Sequence, residues 1–204
     1  DMVLGLYYIT KPLKGAKGEG LVFYGPEEAI IAYNEGRADL HAIISVMVDT
    51  VDEHGNQTRE LIKETTIGRV IFNQMVPKEV GYINTLLKKK NLRDIIGVIM
   101  KKAGADKAAT FLDDIKGLGY QMAFRGGLSF NLDAVLIPKE KEKLVNEGYE
   151  KVDEVFESYN MGFITNNERY NQVIDIWTRV NSELTETVSR QLEKDMDGFN
   201  PVYM

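Results

Sequence analysis

Two heptad-spaced apolar stripes constrain the fold of this chain more than any other feature of its sequence. In the first stripe the apolar residues are separated by four, three, four and three positions: Val145, Tyr149, Val152, Phe156 and Tyr159. A second, longer stripe follows: Tyr170, Val173, Trp177, Val180, Leu184, Val188 and Leu192. Steps of three and four are the spacing of a coiled-coil seam. Each stripe therefore predicts a helix that packs lengthwise against a partner.

A short break between the stripes predicts how the two helices meet. "NMG" at residues 160–162 interrupts the first stripe, and "TNNE" restarts the pattern. Thr165 can cap the new helix, and Glu168, three residues later, can reach back to the N–H of the cap. Helices joined by so short a loop pack antiparallel, and each exceeds about 20 residues, or roughly 30 Å. We expect residues 138–204 to form a projecting antiparallel coiled-coil hairpin with its tip near residues 159–166.

The rest of the chain, residues 1–137, has the mixed pattern of strands and helices, so the predicted fold class is α+β. Runs rich in β-branched and aromatic residues predict strands over Val3–Thr10, "LVFYG", "LHAIISVMVDTV", "TTIGRVIFNQMVP" and "LSFNLDAVLI". The turn sequence "DEHGNQ" predicts a hairpin between two of them. Helices are predicted from Pro26 to about Asn34, over "NLRDIIGVIMKKAG", and from a cap at Asp106 to Arg125.

Composition and charge exclude several classes of protein. The chain has no Cys, which excludes disulfides, thiolate metal sites and a Cys nucleophile. No apolar run approaches the roughly 18 residues of a membrane span. Residues 1–138 carry 17 positive and 17 negative side chains, whereas residues 139–204 carry 8 and 14. The acidic excess therefore lies in the predicted hairpin. The chain as a whole is mildly acidic and lacks the basic character of a protein that binds DNA by itself.

"GAKGEG" at residues 15–20 is the first candidate for chemistry, because its glycines suggest a phosphate-binding loop. A P-loop needs Gly-Lys-Ser/Thr followed at once by a helix whose N–H groups face the phosphate. Here Glu19 follows Gly18, and a predicted strand follows Gly20. The pattern therefore favours a connecting loop over a nucleotide cradle.

The histidines and a pair of neighbouring aspartates give no recognisable active site. His41 and His54 lie in no metal-ligand spacing; we expect His41 to be buried in an apolar strand and His54 to be solvated in a turn. Asp113 and Asp114 point about 100° apart on a helix, so they do not share a metal ion or a proton.

An acidic run on the first arm of the hairpin admits two interpretations: Glu147, Glu150, Asp153, Glu154 and Glu157. Such a run is commonly the solvated face of a coiled coil. It also suits docking of a basic partner, and composition alone does not decide between them. The residues by themselves thus predict a scaffold that carries a coiled coil and has no active site.

An ordered set of short segments resembles one family, the β′ subunits of bacterial DNA-directed RNA polymerase. The segments are "DMVLGLYYIT", "AKGEG", "GPEEA", "LHA", "TTIGR", "VP", "NERYNQVIDIW" and "FNPVYM". Together they cover nearly the whole chain, and "ERYNQVIDIW" is the most specific of them. The resemblance also accounts for a start inside an apolar run without an initiator Met. It implies an internal piece that follows the magnesium-binding aspartate loop of the subunit and precedes its bridge helix.

The resemblance implies functions for both parts of the chain. Residues 1–137 resemble the pore region, which lines the secondary channel where nucleoside triphosphates enter and backtracked RNA 3′ ends exit. Residues 138–204 resemble the funnel rim helices, where Gre-type and DksA-type factors dock. The implied assembly is a cytoplasmic nucleotidyltransferase containing the alpha, beta, omega and sigma subunits. Its Mg and Zn sites lie outside this piece, which is not catalytic alone and is expected to hold no cofactor.

The resemblance and the residues together give a set of candidate site residues. The hairpin tip exposes apolar side chains next to the acidic arm, and Glu168 matches a position associated with factor docking. The expected docking residues are Glu154, Glu157, Met161, Phe163, Glu168 and Asn171. A ppGpp site of the family uses a Tyr-Asn-Lys-x-x-x-Asp pattern, which Tyr170, Asn171 and Asp175 match. Gln172 replaces the Lys, and a neutral amide is a weaker partner for a pyrophosphate than a cation is.

Two other functions stay open from the sequence. One is an independent coiled-coil adaptor, which the start inside an apolar run disfavours. The other is a small phosphate-binding enzyme built on "GAKGEG", which lacks the structural context that such a loop needs.

Overall fold

A computed structural model of the chain describes residues 1–51 and 57–204. These residues form two compact units, Asp1–Leu128 and Ser129–Met204. Residues 52–56 of the predicted turn at 52–57, with His54 among them, lie outside the described residues, and Gln57 begins a strand. Within the described ranges, no helix combines the length and the apolar character needed to cross a membrane.

The first unit combines a small sheet with helices, which confirms the predicted α+β class. Its elements in chain order are α1 (Met2–Thr10), β1 (Val22–Phe23), α2 (Pro26–Asn34), β2 (Ile43–Val51), β3 (Gln57–Thr66), α3 (Ile67–Asn73), α4 (Lys89–Lys102) and α5 (Gly104–Arg125). The sheet order is β1-β2-β3, with β1 parallel and β3 antiparallel to β2. The predicted strands at "LVFYG" and "LHAIISVMVDTV", the hairpin pairing after them and three predicted helices are thereby confirmed.

The predicted strand over Val3–Thr10 is wrong, because this segment forms helix α1. Its buried residues are Gly5, Leu6, Ile9 and Thr10, a spacing that places them on one helical face. The absence of a side chain at Gly5 brings α1 against α5, since a Cβ there would overlap the carbonyl oxygen of Gly119. Intrinsic β propensity is a weak preference, and this close packing overrides it.

The strand predicted for "TTIGRVIFNQMVP" is also wrong, because β3 ends at Thr66 and helix α3 begins at Ile67. The Oγ1 of Thr66 accepts a hydrogen bond from the backbone N–H of Arg69 at 3.2 Å. Thr66 is therefore the N-cap, a role that a run of β-branched residues conceals.

Two smaller predictions also need correction. "LSFNLDAVLI" forms no strand: Leu132–Ala134 is a 3₁₀ turn, in which the Asn131 side chain accepts from the N–H of Ala134 at 3.0 Å. Helix α5 begins at Gly104 with Ala103 as its N-cap, so Asp106 lies in the first turn and does not cap the helix. An acidic residue there still favours the positive end of the helix dipole.

Two apolar clusters form the core of the first unit. One lies among α1, α3, α4 and α5, where the rings of Phe72 and Phe111 meet edge to face with centroids 6.1 Å apart. The other lies between the sheet and helices α2 and α3, and includes Ile44, Val46 and Ile67. Helix α3 contributes to both clusters, so its placement joins the two halves of the unit.

The buried side chain of Arg69 binds the C-terminal end of α1. The residue is only 8% exposed, and its Nε donates to the carbonyl oxygen of Thr10 at 3.0 Å. Its Nη1 donates to Oδ1 of Asn84 at 2.8 Å. Because Thr10 is the last residue of α1, its carbonyl has no partner within the helix, and a cation suits that end of the helix dipole.

The second unit contains the predicted helical hairpin. Helix α6 spans Lys141–Asn160 and α7 spans Asn166–Lys194, followed by a 3₁₀ turn over Asp195–Gly198. The Tyr149 ring of α6 meets the Trp177 ring of α7 edge to face at 5.0 Å, whereas the end of α6 meets the start of α7. The helices are therefore antiparallel. Supercoiling of the pair stays a prediction.

Four apolar side chains of the hairpin are buried, and one glycine of α6 lies against the Trp177 ring. Val152, Ile176, Val180 and Leu192 are buried, and of these Ile176 is not in the predicted stripe. Gly148 is also buried, and a Cβ there would lie 3.2 Å from atoms of both Trp177 and Val180. The gap at Gly148 thus receives the Trp177 ring.

Replacing Trp177 by Ala should destabilise the hairpin by about 2–3 kcal/mol, because it removes an aromatic pair and leaves the gap at Gly148 unfilled. The expected loss is below that of a fully buried Trp because this ring is partly exposed. Tyr170 belongs to the predicted stripe, but it is 61% exposed, so the prediction that it packs in the seam is wrong. Hydrogen exchange at α6 and α7 amides measures the effect, with Tyr170→Ala as the control. Equal exchange in the two variants would contradict the assigned packing.

Candidate functional site

The hairpin tip is a short loop that exposes two large apolar side chains. Helix α6 ends at Asn160, and Gly162 turns the chain with a φ of +79°. Met161 is 67% exposed and Phe163 is 77% exposed. We use the name tip surface for the predicted docking residues: Glu154, Glu157, Met161, Phe163, Glu168 and Asn171. All six are exposed, as a docking surface requires.

Glu168 is held in place by the predicted capping box. Its Oε2 accepts hydrogen bonds from the N–H of Thr165 at 2.7 Å and from Oγ1 of Thr165 at 2.8 Å. The N–H of Glu168 in turn donates to Oγ1 of Thr165 at 3.3 Å. The backbone hydrogen bond from Thr165 is the main cause that lowers the pKa of Glu168. The carboxylate is thus both fixed and negatively charged.

Sequence reasoning missed Arg169, which joins the two arms beside the tip. Its guanidinium lies over the rings of Phe156 and Tyr159, 5.0 and 5.3 Å from their centroids. The same group donates to Oδ1 of Asn166 at 3.2 and 2.8 Å. Contacts of this kind position a cation without neutralising a carboxylate. The two aromatic residues at the end of the first stripe were the available signal for it.

The acidic arm keeps its negative charge toward solvent. Four of its carboxylates are exposed on α6: Glu150, Asp153, Glu154 and Glu157. Glu147 is partly buried, and its Oε1 lies 3.8 Å from Nζ of Lys143. Glu154 and Glu157 form no ion pair with any residue that the structure describes. Negative charge next to exposed apolar side chains is complementary to a basic partner.

The candidate ppGpp residues are only partly brought together. A shallow depression of about 440 Å³ is lined by Val155, Gln172, Asp175, Ile176 and Arg179. Asp175 thus shares a site with Gln172, the residue that replaces the Lys of the family pattern. Tyr170 and Asn171 are exposed on the same helix but do not line the depression. Arg179 is the one cation in the lining.

The other sequence candidates have structural roles. Gly18 has a φ of +90°, and a Cβ there would lie 2.5 Å from the Cβ of Ala38. "GAKGEG" leads into strand β1, as the connecting-loop prediction requires. His41 was expected to be buried in a strand, but it lies in a turn just before β2 and is only partly buried. Its Nδ1 is 2.9 Å from the carbonyl oxygen of Lys11. Burial is the main cause that lowers the pKa of His41.

The aspartate pair on α5 separates as predicted. Oδ1 of Asp113 forms an ion pair with Nζ of Lys116 at 2.7 Å. Asp114 instead lines a cavity of about 670 Å³ in the first unit. The other charged side chains of that cavity include two ion pairs, Arg59 with Asp49 and Lys107 with Glu79. Among the described residues, no three His, Asp or Glu side chains converge as a metal-binding group.

Comparison with known proteins identifies the family. The model of the family "RNA polymerase Rpb1, domain 3" matches residues 1–135. The whole chain is 64% identical over 204 residues to DNA-directed RNA polymerase subunit beta' of Bacteroides fragilis and covers 14% of that protein. The subunit of Porphyromonas cangingivalis is 63% identical over 204 residues, with 18% covered. That of Flavobacterium johnsoniae is 49% identical over 209 aligned residues, with 14% covered, and both matches include the entire chain.

These matches define a class of transcription proteins by sequence over the full length of the chain. The chain belongs to the RNA polymerase Rpb1, domain 3 family, and its relatives are beta' subunits of DNA-directed RNA polymerase. It spans less than a fifth of the length of these curated relatives.

Proposed function

We propose that this chain is part of the β′ subunit of a DNA-directed RNA polymerase, working in the cytoplasm with the alpha, beta, omega and sigma subunits. Residues 1–137 line the secondary channel, through which nucleoside triphosphates enter and the 3′ end of backtracked RNA exits. Residues 138–204 form the rim of that channel, and their tip surface is the docking site for Gre-type and DksA-type factors. Identity of 64% with a beta' subunit over every residue of the chain carries the assignment to the subunit.

The docking role has its support in the chemistry of the tip surface. Met161 and Phe163 are large apolar side chains exposed on a turn, where they gain nothing unless a partner covers them. Glu154, Glu157 and Glu168 supply negative charge that accelerates association with a basic factor. Because the capping box fixes Glu168 and the Arg169 stack joins the arms, docking costs little side-chain ordering.

Charge reversal at the tip surface should weaken binding of a Gre-type or DksA-type factor to the whole polymerase. The variant Glu154→Lys, Glu157→Lys, Glu168→Gln removes three carboxylates, and Gln retains the capping interaction of residue 168. We expect at least about tenfold weaker factor binding at low salt and a smaller loss at high salt, because salt screens exposed charges. Basal RNA synthesis should not change, since no group in the catalytic centre is touched.

A second variant with the same change in charge separates docking from net charge. Glu183→Lys, Glu186→Lys, Glu193→Gln alters exposed positions on α7 that lie about 25 Å or more from its start, at 1.5 Å per residue. This variant should bind the factor as the wild type does. Equal binding by both variants and the wild type would show that the acidic face is only solvated, and equal weakening would show an effect of net charge.

A further inference from the structure

The cavity of about 670 Å³ in the first unit is lined by residues of both apolar clusters. Val70 comes from the cluster beside the sheet, whereas Val76 and Phe111 come from the cluster among the helices. Met47 and Met75 are partly buried and add to the apolar part of the lining. A volume of several hundred Å³ with apolar walls is typical of a site for a small organic molecule, and flexible Met side chains adapt to its shape.

Helix α5 places a carboxylate next to these apolar walls. Lys107, Phe111 and Asp114 lie four and then three positions apart, so they share one face of the helix, and all three line the cavity. Phe111 is only 1% exposed, whereas Asp114 is exposed to solvent. Asp113 points about 100° away from Asp114 and pairs with Lys116. Asp114 is therefore the member of the aspartate pair that a ligand in the cavity would meet.

Two neutral polar side chains of the lining already have partners within the protein. Nδ2 of Asn73 donates to the carbonyl oxygens of Arg69 and Ile83, both at 2.8 Å, and its Oδ1 accepts from the N–H of Ile83 at 2.7 Å. The hydroxyl of Tyr82 lies 2.8 Å from Oγ1 of Thr65. Because these groups are occupied, the charged side chains of the lining are the main groups that orient a ligand.

The charge of the lining favours a cation. It comprises three cations and four carboxylates: Arg59, Lys78 and Lys107, with Glu27, Asp49, Glu79 and Asp114. Arg59 pairs with Asp49, and Lys107 pairs with Glu79. Of the other three, which form no ion pair within residues 1–51 and 57–204, two are carboxylates and one is a lysine. A phosphate or carboxylate ligand would meet more negative than positive charge, whereas an ammonium group is attracted.

We propose that this cavity binds a small apolar amine in its protonated form. The apolar body lies among Met47, Val76 and Phe111, and the ammonium group pairs with Asp114. Removal of the apolar body from water supplies most of the affinity, and the carboxylate supplies the preference for an amine over a neutral group of the same shape. The site lies within the first unit and does not rest on the proposed docking role of the tip surface.

The test compares naphthylethylamine, as the probe, with naphthylethanol, a neutral molecule of nearly the same shape. Each is titrated into the complete 204-residue chain with isotope-labelled Met methyl groups, and NMR reports the shifts. Met47 and Met75 line the cavity, so their methyl signals should move, whereas those of Met161 and Met196 in the hairpin unit should not. The amine should bind about threefold more tightly than the alcohol, because an exposed carboxylate gives only a modest charge interaction.

Two neighbouring aspartates provide matched variants. Asp114→Asn should weaken binding of the amine to the level of the alcohol and leave binding of the alcohol unchanged. Asp113→Asn makes the same change in charge one position away, outside the lining, and should bind both molecules as the wild type does. Thr110 is an exposed residue of the lining, so Thr110→Trp should obstruct the cavity and weaken binding of both molecules.

Several results would overturn the proposal. They are unmoved signals of Met47 and Met75 at the highest soluble concentration of the probe, equal affinity of the wild type for amine and alcohol, and equal loss in the two aspartate variants. Undiminished binding by a Thr110→Trp variant that unfolds at the same urea concentration as the wild type would place the ligand elsewhere. If Thr110→Trp does not fold, the comparison of the aspartate variants still decides the outcome.

Discussion

Replacing Gly5 or Gly68 by Ala should destabilise the first unit by about 3 kcal/mol or more. A Cβ on Gly5 would overlap the carbonyl oxygen of Gly119, and a Cβ on Gly68 would overlap that of Ile9. Both obstacles are backbone atoms inside helices, so they cannot rotate away as a side chain could. The helices would have to separate, and the apolar cluster between them would lose its packing. Urea unfolding followed by circular dichroism, together with hydrogen exchange in α1, measures the loss.

Helix α5 offers a matched control for the same substitution. A Cβ on Gly119 would lie 2.6 Å from the carbonyl oxygen of Met2, whereas a Cβ on Gly117 would meet nothing within 4 Å. Gly119→Ala should therefore destabilise the unit, and Gly117→Ala should stabilise it by about 0.5–1 kcal/mol through better helix propensity. If Gly117→Ala cost as much as Gly5→Ala, close helix packing would not be the reason for these glycines.

The same glycines explain why the start of the chain resisted prediction from sequence. A run such as "VLGLYYIT" has strand-like composition, and the force that makes it a helix is its contact with α5, more than 100 residues later. The overlooked signal was the spacing of Gly5, Leu6, Ile9 and Thr10 along the sequence, which fits one face of a helix. These four residues are the buried ones in α1. Thr66 was a similar case, because a capping residue in a β-branched run has the composition of a strand.

The hairpin was predictable because its information is local. Each signal lies in the stretch of sequence that forms the element it predicts: the two stripes, the break at residues 160–162 and the Thr165–Glu168 pair. The capping box is present as expected. The stack of Arg169 on Phe156 and Tyr159 was not predictable, because it depends on how the loop brings one arm against the other. The roles of the tip surface in docking stay predictions that factor binding will test.

Arg69 was a further residue that the sequence did not single out, and its structural environment predicts a large effect on stability. Burial is the main cause that lowers the pKa of Arg69, yet a guanidinium stays charged in a protein. The charge is accepted by the carbonyl oxygen of Thr10 and by Oδ1 of Asn84. Thr10 is itself tied to Leu87, whose N–H donates to its Oγ1 at 3.0 Å. One side chain thus connects the end of α1, helix α3 and the segment before α4.

Arg69→Leu should lower the free energy of unfolding of the first unit by about 3 kcal/mol, because two acceptors inside the unit lose charged donors. Arg69→Lys should give a smaller loss, since one ammonium cannot reproduce the two directions of the guanidinium. Arg37→Leu is the control: its ion pair with Glu35 is exposed, and its loss should change stability by no more than about 0.5 kcal/mol. The expected order of urea midpoints is wild type and Arg37→Leu, then Arg69→Lys, then Arg69→Leu. An Arg69→Lys variant as stable as the wild type would show that the cation matters and its geometry does not, and the role assigned to the forked hydrogen bonds would be wrong.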